Sequence, residues 1–410
     1  MNDHLPRANG ARVLADLHAL RAIGPYKSGV HKPTFSEPHV RSLQWLVQRL
    51  PEAGLTGAID GIGNVIGASA KPGPKLLAGS HLESQNHAGW LDGPLGVVYA
   101  LEAARILNPD PTTKGAVEVA AWCDEEGHFG HFLGSRSYVG AVSDADIDAA
   151  RDRNDGRTMR EALAAAGLAG RPRLQAERGR HIGYLEAHIE QGETLESSGL
   201  KIGVVTSIVG IWQYRITFTG EQNHAGTTRM AIRRDAGLAL ARFCVAIDDR
   251  FPAACGPRTV WTTGRITLDP GAPSIIPGAA EMLFQIRDDD PAVIARLEDL
   301  LRSMAAEVNG QGRCNVVVER IRTGTPAHMD ASFQQAIEAA STAFADGKSL
   351  QMPSGAGHDA QVLATIMPSA MLFVPSIGGI SHHWTENTAD ADIVTGAEVF
   401  VETCRRLLAR

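Results

Sequence analysis

The chain has 410 residues, of which 44% are hydrophobic and 21% charged, and its formal net charge is −7. This length exceeds one ordinary core, so two domains are expected. The acidic balance, without a basic block, argues against a nucleic-acid partner, and the lack of a run of about 18 apolar residues argues against a membrane span. Five scattered cysteines without a C-x-x-C pair, and an N-terminus without a signal design, favour a cytoplasmic protein with reduced thiols.

Apolar periodicity predicts most elements of the first 210 residues. Helices are expected at 9–23, 40–53 and 97–107, and strands at 76–78, 116–122, from 184 onward and at 202–209. Residues 144–180 are predicted to be helical and solvent-facing. Gly61 and Gly63 resemble part of a dinucleotide-binding fingerprint, but their spacing is wrong and the Pro-rich residues 71–74 leave no room for the required helix. We therefore expect a turn between two strands there.

The pattern changes after Trp212 to strand, helix, strand, strand, helix, strand. The strands are predicted at 214–219, 260–268, 280–286 and 315–321, and the helices at 231–250 and 291–309. This order predicts a small antiparallel sheet backed by two helices and inserted into a larger α/β domain. The larger domain comprises residues 1–210 and 323–410, with helices at 331–346 and 394–408 and a strand at 370–374, and the inserted domain comprises residues 211–322.

The glycine-rich stretch from Gly79 to Gly96 carries His81 and Asp92 directly after an apolar strand. Open α/β sheets place their sites at the carboxyl ends of strands, and an imidazole with a carboxylate suits a metal such as zinc. These two residues alone are weak support, because most histidines and aspartates in such loops bind nothing. The prediction depends on whether other loops supply further ligands.

Three acidic residues, Asp124, Glu125 and Glu126, follow the strand at 116–122. A solvated loop is the ordinary interpretation, whereas a bound cation would neutralise charges that raise one another's pKa. Two more histidines, His188 and His382, also lie in glycine-bearing loops after apolar runs. The full set is a reasonable ligand inventory for two divalent metals with one bridging carboxylate: His81, Asp92, Glu126, His188 and His382.

Ten short motifs keep a common order across nearly the whole chain, and two of them, His188-Ile-Glu-Gln-Gly192 and Ser354-Gly-Ala-Gly-His-Asp-Ala360, are rather specific. The others include Gly79-Ser-His-Leu, Asp92-Gly-x-Leu-Gly96, Glu125-Glu-Gly127, His224-Ala-Gly-Thr-Thr228 and Gly379-Ile-Ser-His382. With these motifs the sequence resembles the carbamoylase branch of the dinuclear-metal aminoacylase and carboxypeptidase superfamily. That branch holds N-carbamoyl-L-amino-acid hydrolases, β-ureidopropionases and allantoate amidohydrolases.

The resemblance implies an α/β fold, with a metal-dependent exopeptidase-like catalytic domain and an inserted, smaller α+β (ferredoxin-like) domain for lid and dimer contacts. It implies that His81 and either His188 or His382 are terminal ligands of two metals, with Asp92 as the bridge. Glu126 would ligate one metal, and Glu125 would be the general base for a metal-bridging water, a division that suits adjacent carboxylates. Zinc or manganese is preferred, and cobalt or nickel would accept the same ligands.

The resemblance also implies roles near the substrate. His224 would polarise the scissile carbonyl, reaching in from the partner subunit of a homodimer, and Arg287 would hold the carboxylate of a small-molecule substrate. Gln191 and His358 would line the substrate site. The ordinary alternatives are a surface arginine and a histidine at a helix start.

Departures from the family pattern cluster near the substrate. Glu83 replaces the aspartate that orients His81, and Ser274 replaces the asparagine that helps hold the oxyanion. Arg229 stands at a proline position, and the loop 84–91 is unusual, with His87 and the candidate substrate contact Trp90 near the entrance. These changes indicate an unusual substrate more than an inactive enzyme.

The first hypothesis is therefore hydrolysis of the C–N bond of an N-carbamoyl L-amino acid to the amine, carbon dioxide and ammonia. The alternatives are another ureido or N-acyl amide, such as allantoate, ureidoglycolate or an N-acetylated or conjugated amino acid. A non-catalytic homologue that only binds a ligand is the third hypothesis, and such a protein would be expected to lose metal ligands or the base. All five ligands and Glu125 are present.

Overall fold

The structure, a computed structural model, describes residues 7–410. The described chain forms two compact units. The larger contains the described residues up to Thr206, with His328–Ser354 and His358–Arg410, and the smaller contains Ser207–Ala327 with Gly355–Gly357. This division lies a few residues from the predicted boundaries at 210/211 and 322/323, and the catalytic and lid or dimer roles of the two parts stay predictions.

The strands, in chain order over residues 7–410, are β1 (Pro25–Tyr26), β2 (Gly29–Val30), β3 (Leu55–Thr56), β4 (Val65–Ser69), β5 (Lys75–His81), β6 (Ala116–Trp122), β7 (His181–Ile189), β8 (Ile202–Ile208), β9 (Gly210–Thr219), β10 (Asn223–His224), β11 (Val260–Asp269), β12 (Ile275–Ile276), β13 (Ala279–Asp288), β14 (Asn315–Thr323), β15 (Ala327–His328), β16 (Ser349–Ser354) and β17 (Ser369–Val374).

The α-helices, over the same residues, are α1 (Gly10–Arg21), α2 (Glu37–Arg49), α3 (Pro94–Leu107), α4 (Leu133–Tyr138), α5 (Asp144–Ala149), α6 (Met159–Ala165), α7 (Thr194–Ser197), α8 (Ala236–Arg250), α9 (Pro291–Gly310), α10 (Ala331–Phe344), α11 (Asp359–Leu363) and α12 (Asp390–Leu408).

A mixed sheet forms the centre of the larger unit, with the strand order β15, β8, β17, β7, β5, β6, β4, β3 and with β16 paired to β8. The strand β5 is parallel to both of its neighbours, β6 and β7, and β17 is parallel to β7. The carboxyl ends of these four strands therefore share one edge of the sheet. The helix α3 packs on β5, β6 and β7 and is almost wholly buried, which explains its apolar sequence.

The smaller unit is a four-stranded antiparallel sheet with the order β11, β13, β9, β14 and with helices α8 and α9 packed on it. The burial of β13 alternates residue by residue, so one face of the sheet meets the helices, as a period of two requires. The β-α-β-β-α-β order of its main elements is ferredoxin-like. The predicted fold class is confirmed.

Two element predictions were wrong. Residues 144–180 were predicted to be helical and solvent-facing, but only α5 and α6 are helical there, and buried residues such as Ile147 and Met159 join an apolar cluster with Phe35. Gly167, with a left-handed φ, follows the C-cap of α6, and glycines 156, 170 and 179 also have left-handed φ in the non-helical parts of the segment. The helix expected from 231 starts at Ala236, because the Asp235 side chain accepts the Leu238 N–H as an N-cap.

None of the helices in residues 7–410 is long and apolar enough to cross a membrane.

Candidate metal centre

All five predicted ligands lie in the larger unit, at or beyond the shared carboxyl edge of its parallel strands. This is the edge where open α/β sheets hold their sites. His81 is the last residue of β5, Asp92 lies between β5 and α3, Glu126 follows β6, His188 is near the end of β7, and His382 follows β17. The scatter of the ligands along the sequence thus becomes a compact cluster in space.

Asp92 is the centre of that cluster. Its Oδ1 lies 3.0 Å from His188 Nε2 and 3.6 Å from His81 Nε2, and its Oδ2 lies 3.2 Å from His382 Nε2. Glu126 Oε2 lies 3.6 Å from His382 Nε2. The ligand atoms form two groups, each within 4.8 Å, and Asp92 belongs to both. We call His81, Asp92 and His188 the inner group, and Asp92, Glu126 and His382 the outer group.

The histidines of the inner group are oriented to bind a divalent cation. His81 Nε2 is buried and has no hydrogen-bond partner among the described residues. The Nδ1 atoms of His81 and His188 lie 3.2 Å from the Glu83 carbonyl and 2.9 Å from the Ile189 carbonyl. Those contacts favour a proton on Nδ1 and direct the Nε2 lone pairs at the cluster, as a metal-binding histidine requires.

The pKa values of the buried groups in the cluster also indicate that positive charge stabilises it. Burial alone would raise the pKa of Asp92, but its interactions with His188, His382 and His81 hold that pKa well below its ordinary value. Burial opposes protonation of His81, yet Asp92, Glu83 and Glu125 raise the pKa of His81 well above its usual range. Buried carboxylates without positive partners are strongly destabilising. Positive charge beside Asp92 therefore stabilises its carboxylate, and divalent metals at the two ligand groups would supply that charge.

Glu125 lies beside the inner group without belonging to it. Its Oε2 is 3.8 Å from His81 Nε2, and burial raises the pKa of the Glu125 carboxyl well above its ordinary value. A carboxyl group with a raised pKa, next to the cluster, is suited to carry a proton.

The acidic run that contains Glu125 is a buried turn, so the interpretation as a solvated loop was wrong. Asp124 has a left-handed φ of 59°, and its carboxylate accepts the backbone N–H groups of His128, Phe129 and Gly130. Because the Asp124 carboxylate accepts these backbone N–H groups, it holds the loop that carries Glu125 and Glu126 in one conformation.

Glu83 does not orient His81 in the expected way. Its backbone carbonyl, 3.2 Å from His81 Nδ1, is closer than its carboxylate, which lies 3.7 Å away. The carboxylate instead accepts the N–H of Glu125 at 2.6 Å and faces His39 Nε2 at 3.6 Å. Glu83, in place of the expected aspartate, therefore contacts both His81 and the backbone of Glu125, the predicted base.

The structure brings Gln191 into the cluster. Its Nε2 donates to Asp92 Oδ2 and to Ser381 Oγ, both at 3.1 Å. His358 is buried, its ring centroid lies 4.6 Å from that of His188, and its Nε2 is 2.9 Å from Ser354 Oγ. Their contacts with substrate stay predictions.

Trp90 is only 3% exposed, since its ring stacks on His18 and lies under the guanidinium of Arg21. A contact between this ring and a substrate stays a prediction.

Three predicted site residues belong to the smaller unit. Arg287 donates to the Gly355 carbonyl at 2.9 Å and to Gln285 Oε1 at 3.4 Å, and it takes part in none of the ion pairs among the described residues. His224 is exposed, and its Nδ1 accepts the N–H groups of Gly226 and Thr227 at 3.0 and 3.2 Å. Ser274 is also exposed. Their roles toward substrate stay predictions.

Glu386, which anchors the loop that carries Asp92, was not among the residues predicted from the sequence. The Glu386 side chain is buried and accepts the N–H groups of Leu91 and Asp92 at 3.2 Å each, and the hydroxyl of Ser381 at 3.0 Å. A Cβ at Gly89 would lie 1.9 Å from this carboxyl group, so glycine is required there. The only sequence signal was an acidic residue four positions after His382.

This α/β fold, with carboxylates and imidazoles gathered around Asp92 at one sheet edge, has the donor set of a dinuclear metal hydrolase. Residues 73–406 match the peptidase family M20/M25/M40. The chain is 33% identical over 411 residues to an N-carbamoyl-L-amino-acid amidohydrolase of Paenarthrobacter aurescens, covering 98% of this chain and 99% of that protein. It is 34% identical over 367 residues to the allantoate amidohydrolase of Bacillus subtilis (strain 168), covering 86% and 87%.

A crystal structure of an amidase of the hydantoinase/carbamoylase family from Burkholderia phymatum matches with a TM-score of 0.90 and 46% identity over 99% of each chain. The chain therefore belongs to the peptidase M20/M25/M40 family, in its carbamoylase branch. It is a hydrolase that acts on amide C–N bonds, as the motifs predicted.

Proposed function

We propose that this protein is a dinuclear metal-dependent amidohydrolase that cleaves the C–N bond of an N-carbamoyl (ureido) L-amino acid. The observation that carries the proposal is the pair of ligand groups that share Asp92, with Glu125 Oε2 3.8 Å from His81 Nε2. The similarity to an N-carbamoyl-L-amino-acid amidohydrolase over nearly the whole chain supports the same substrate class.

Each ligand group would hold one divalent ion, with Asp92 between them. Two such ions would polarise the substrate carbonyl and lower the pKa of the attacking water. Zinc or manganese is the preferred metal for both positions, and cobalt or nickel would fit the same mixture of imidazole and carboxylate donors.

Glu125 moves the proton in this scheme. It takes a proton from the water whose oxygen adds to the carbonyl carbon, and it returns that proton to the substrate nitrogen as the C–N bond breaks. The products are the free amino acid and carbamic acid, and the latter decomposes to carbon dioxide and ammonia. The position of Glu125 next to His81, and its raised pKa, suit both halves of this transfer.

Three of the proposed substrate contacts, Arg287, His224 and Ser274, are residues of the smaller unit. Arg287, whose hydrogen bonds among residues 7–410 go to the Gly355 carbonyl and to Gln285 Oε1, would turn its guanidinium to the carboxylate of an amino-acid substrate. His224 and Ser274 are exposed donors that would contact the scissile carbonyl. His224 Nδ1 is occupied by backbone N–H groups, so Nε2 is the nitrogen free to act.

We also propose a homodimer formed through the smaller unit. Its edge strand β11 is exposed along nearly its whole length and presents Val260, Ile266 and Leu268. The outer face of α8 exposes Val245. A long, apolar edge strand is suited to pairing with a second copy.

Hydrolysis of allantoate is the second candidate, because the Bacillus subtilis relative carries that name at nearly the same identity. Ureidoglycolate and N-acyl amino acids complete the set of alternatives. A binding protein without catalysis is disfavoured, because both ligand groups and Glu125 are in place.

The test measures bound metal by elemental analysis, ammonia release from N-carbamoyl amino acids, allantoate and ureidoglycolate, and release of the free amino acid from N-acyl amino acids. The Glu125→Gln variant should keep two metals per chain and lose turnover by about a thousandfold or more, since general acid–base groups supply about 10²–10⁴-fold. Glu37→Gln, on the exposed start of α2, is the matched control and should behave as wild type. Intact turnover in Glu125→Gln would refute the mechanism, and no ammonia from any ureido compound would refute the substrate class.

A further inference from the structure

We propose that Gln85 and Arg153 are positioning residues for Glu126 and thereby set the affinity of the outer group for its divalent cation. The inference rests on the proposed dinuclear site and adds two residues that no ligand pattern identifies. Gln85 lies in the loop 84–91, between β5 and α3. Arg153 lies in the segment between α5 and α6.

Gln85 holds Glu126 through three hydrogen bonds. The Gln85 backbone N–H donates to Glu126 Oε1 at 3.2 Å, and the side-chain amide donates to Oε2 at 2.7 Å and to the Glu126 carbonyl at 3.1 Å. Oε2 is also the atom that lies 3.6 Å from His382 Nε2. The amide of Gln85 therefore fixes the carboxylate oxygen that belongs to the outer group.

Arg153 fixes Gln85 in turn. One Arg153 Nη donates to Gln85 Oε1, and the other donates to the Glu126 carbonyl at 3.1 Å. The Arg153 backbone N–H donates to the His128 carbonyl at 2.9 Å, which ties this segment to the turn after β6. Because a guanidinium only donates, Gln85 must turn its oxygen toward Arg153 and its NH2 group toward Glu126.

The inner group is held without hydrogen bonds of this kind from other side chains. Its two histidines lie on strands, and backbone carbonyls orient their rings. Glu126 has a longer side chain on a loop, so holding one rotamer costs conformational entropy that a metal would otherwise have to offset. Partners that orient a ligand in advance typically change metal affinity by about 10–100-fold.

The experiment titrates metal-free protein with Co²⁺ and follows the visible absorption of bound Co²⁺, with Zn²⁺ competition against a chromogenic chelator. Gln85→Met removes the side-chain donors at similar volume and should weaken one of two sites by about 10–100-fold while the other keeps its affinity. Gln85→Glu, which keeps the length but not the NH2 donors, should act in the same direction. Arg153→Met should have a smaller effect.

Asn86→Ala is the matched control. Asn86 is the next residue in the same loop and donates to Asn154, the neighbour of Arg153, at 2.7 Å, yet it does not contact Glu126. Both metal sites of the Asn86→Ala variant should bind Co²⁺ with the affinities of the wild-type protein. Thermal unfolding of each metal-free variant checks that the fold is kept.

The outcomes separate this inference from the proposed function. Wild-type protein that binds fewer than two metals would contradict the dinuclear site itself. Two wild-type sites with unchanged affinities in both Gln85 variants would overturn the positioning role alone. Equal weakening of both sites would also overturn it, because that result would indicate a general loosening instead of control over Glu126.

Discussion

The inner and outer ligand groups share Asp92 but are built differently. The side chains of His81 and His188 are each 1% exposed and stand at the ends of neighbouring strands β5 and β7. The side chain of His382 is 51% exposed and lies on a loop, as does Glu126. Strands place the inner group through the sheet, whereas hydrogen bonds from other side chains place the outer group. We therefore expect the outer metal to exchange first.

The largest effect should follow a change in the shared residue. Asp92→Asn removes the negative charge from both groups, so both metals should be lost and kcat/KM should fall by a thousandfold or more, about 4 kcal/mol. Elemental analysis and kinetics at matched metal concentrations check this. A variant that still holds one metal tightly would show that Asp92 is not the bridge.

Single histidine variants test the difference between the groups. His188→Ala should abolish the inner site and also lower the free energy of unfolding by about 2–4 kcal/mol, since it leaves a buried cavity and removes a partner of Asp92. His382→Ala should reduce the stoichiometry from two metals to one and barely change stability, because the side chain is half exposed. Metal analysis with urea unfolding separates the two. Equal stability losses would contradict the contrast.

Glu386→Ala tests the anchor of the shared loop. The N–H groups of Leu91 and Asp92 would lose their acceptor, which costs about 1–3 kcal/mol, and both metal sites should weaken by about 10–100-fold. Glu386→Gln keeps one acceptor oxygen and should restore most of the affinity. If Glu386→Gln were as impaired as Glu386→Ala, the carboxylate charge and not the loop contact would be responsible.

A smaller, graded effect is expected from pH. Burial opposes protonation of His382, but Asp92 and Glu126 outweigh it and raise the pKa of His382 to about 9, and Asp92 also raises the pKa of His188. Since a pKa of about 9 means that the His382 imidazole binds a proton at pH 7, a metal must displace that proton, and the affinity of the outer group should increase with pH up to about 9. Calorimetry in buffers of different ionisation enthalpy should detect proton release. Affinity independent of pH between 6 and 9 would contradict this.

Much of this site could be predicted from the sequence because its ligands end apolar strands. His81 and Asp92 follow one buried run, and Glu126 follows another, so parallel pairing of β5 and β6 brings them to one edge. The contacts that hold the ligands could not be predicted. Gln85 and Glu126 are 41 positions apart and Asp92 and Glu386 are 294 apart, and no periodicity in the sequence links such loops.

The segment 144–180 shows why helix propensity alone does not predict secondary structure. Its alanines favour helix locally, but glycines with left-handed φ and the burial of Ile147 and Met159 decide the outcome. Propensity alone cannot show that such a stretch covers an apolar cluster.

The two ligand groups that share Asp92 predict one metal on each side of it. The most direct measurement is a crystal structure of the metal-loaded protein with anomalous data at the absorption edge of the bound metal. Two anomalous peaks about 3.5–4 Å apart are expected, one beside His81 and His188 and the other beside Glu126 and His382, with Asp92 touching both. A single peak, or two peaks of which one lies away from Asp92, would contradict it.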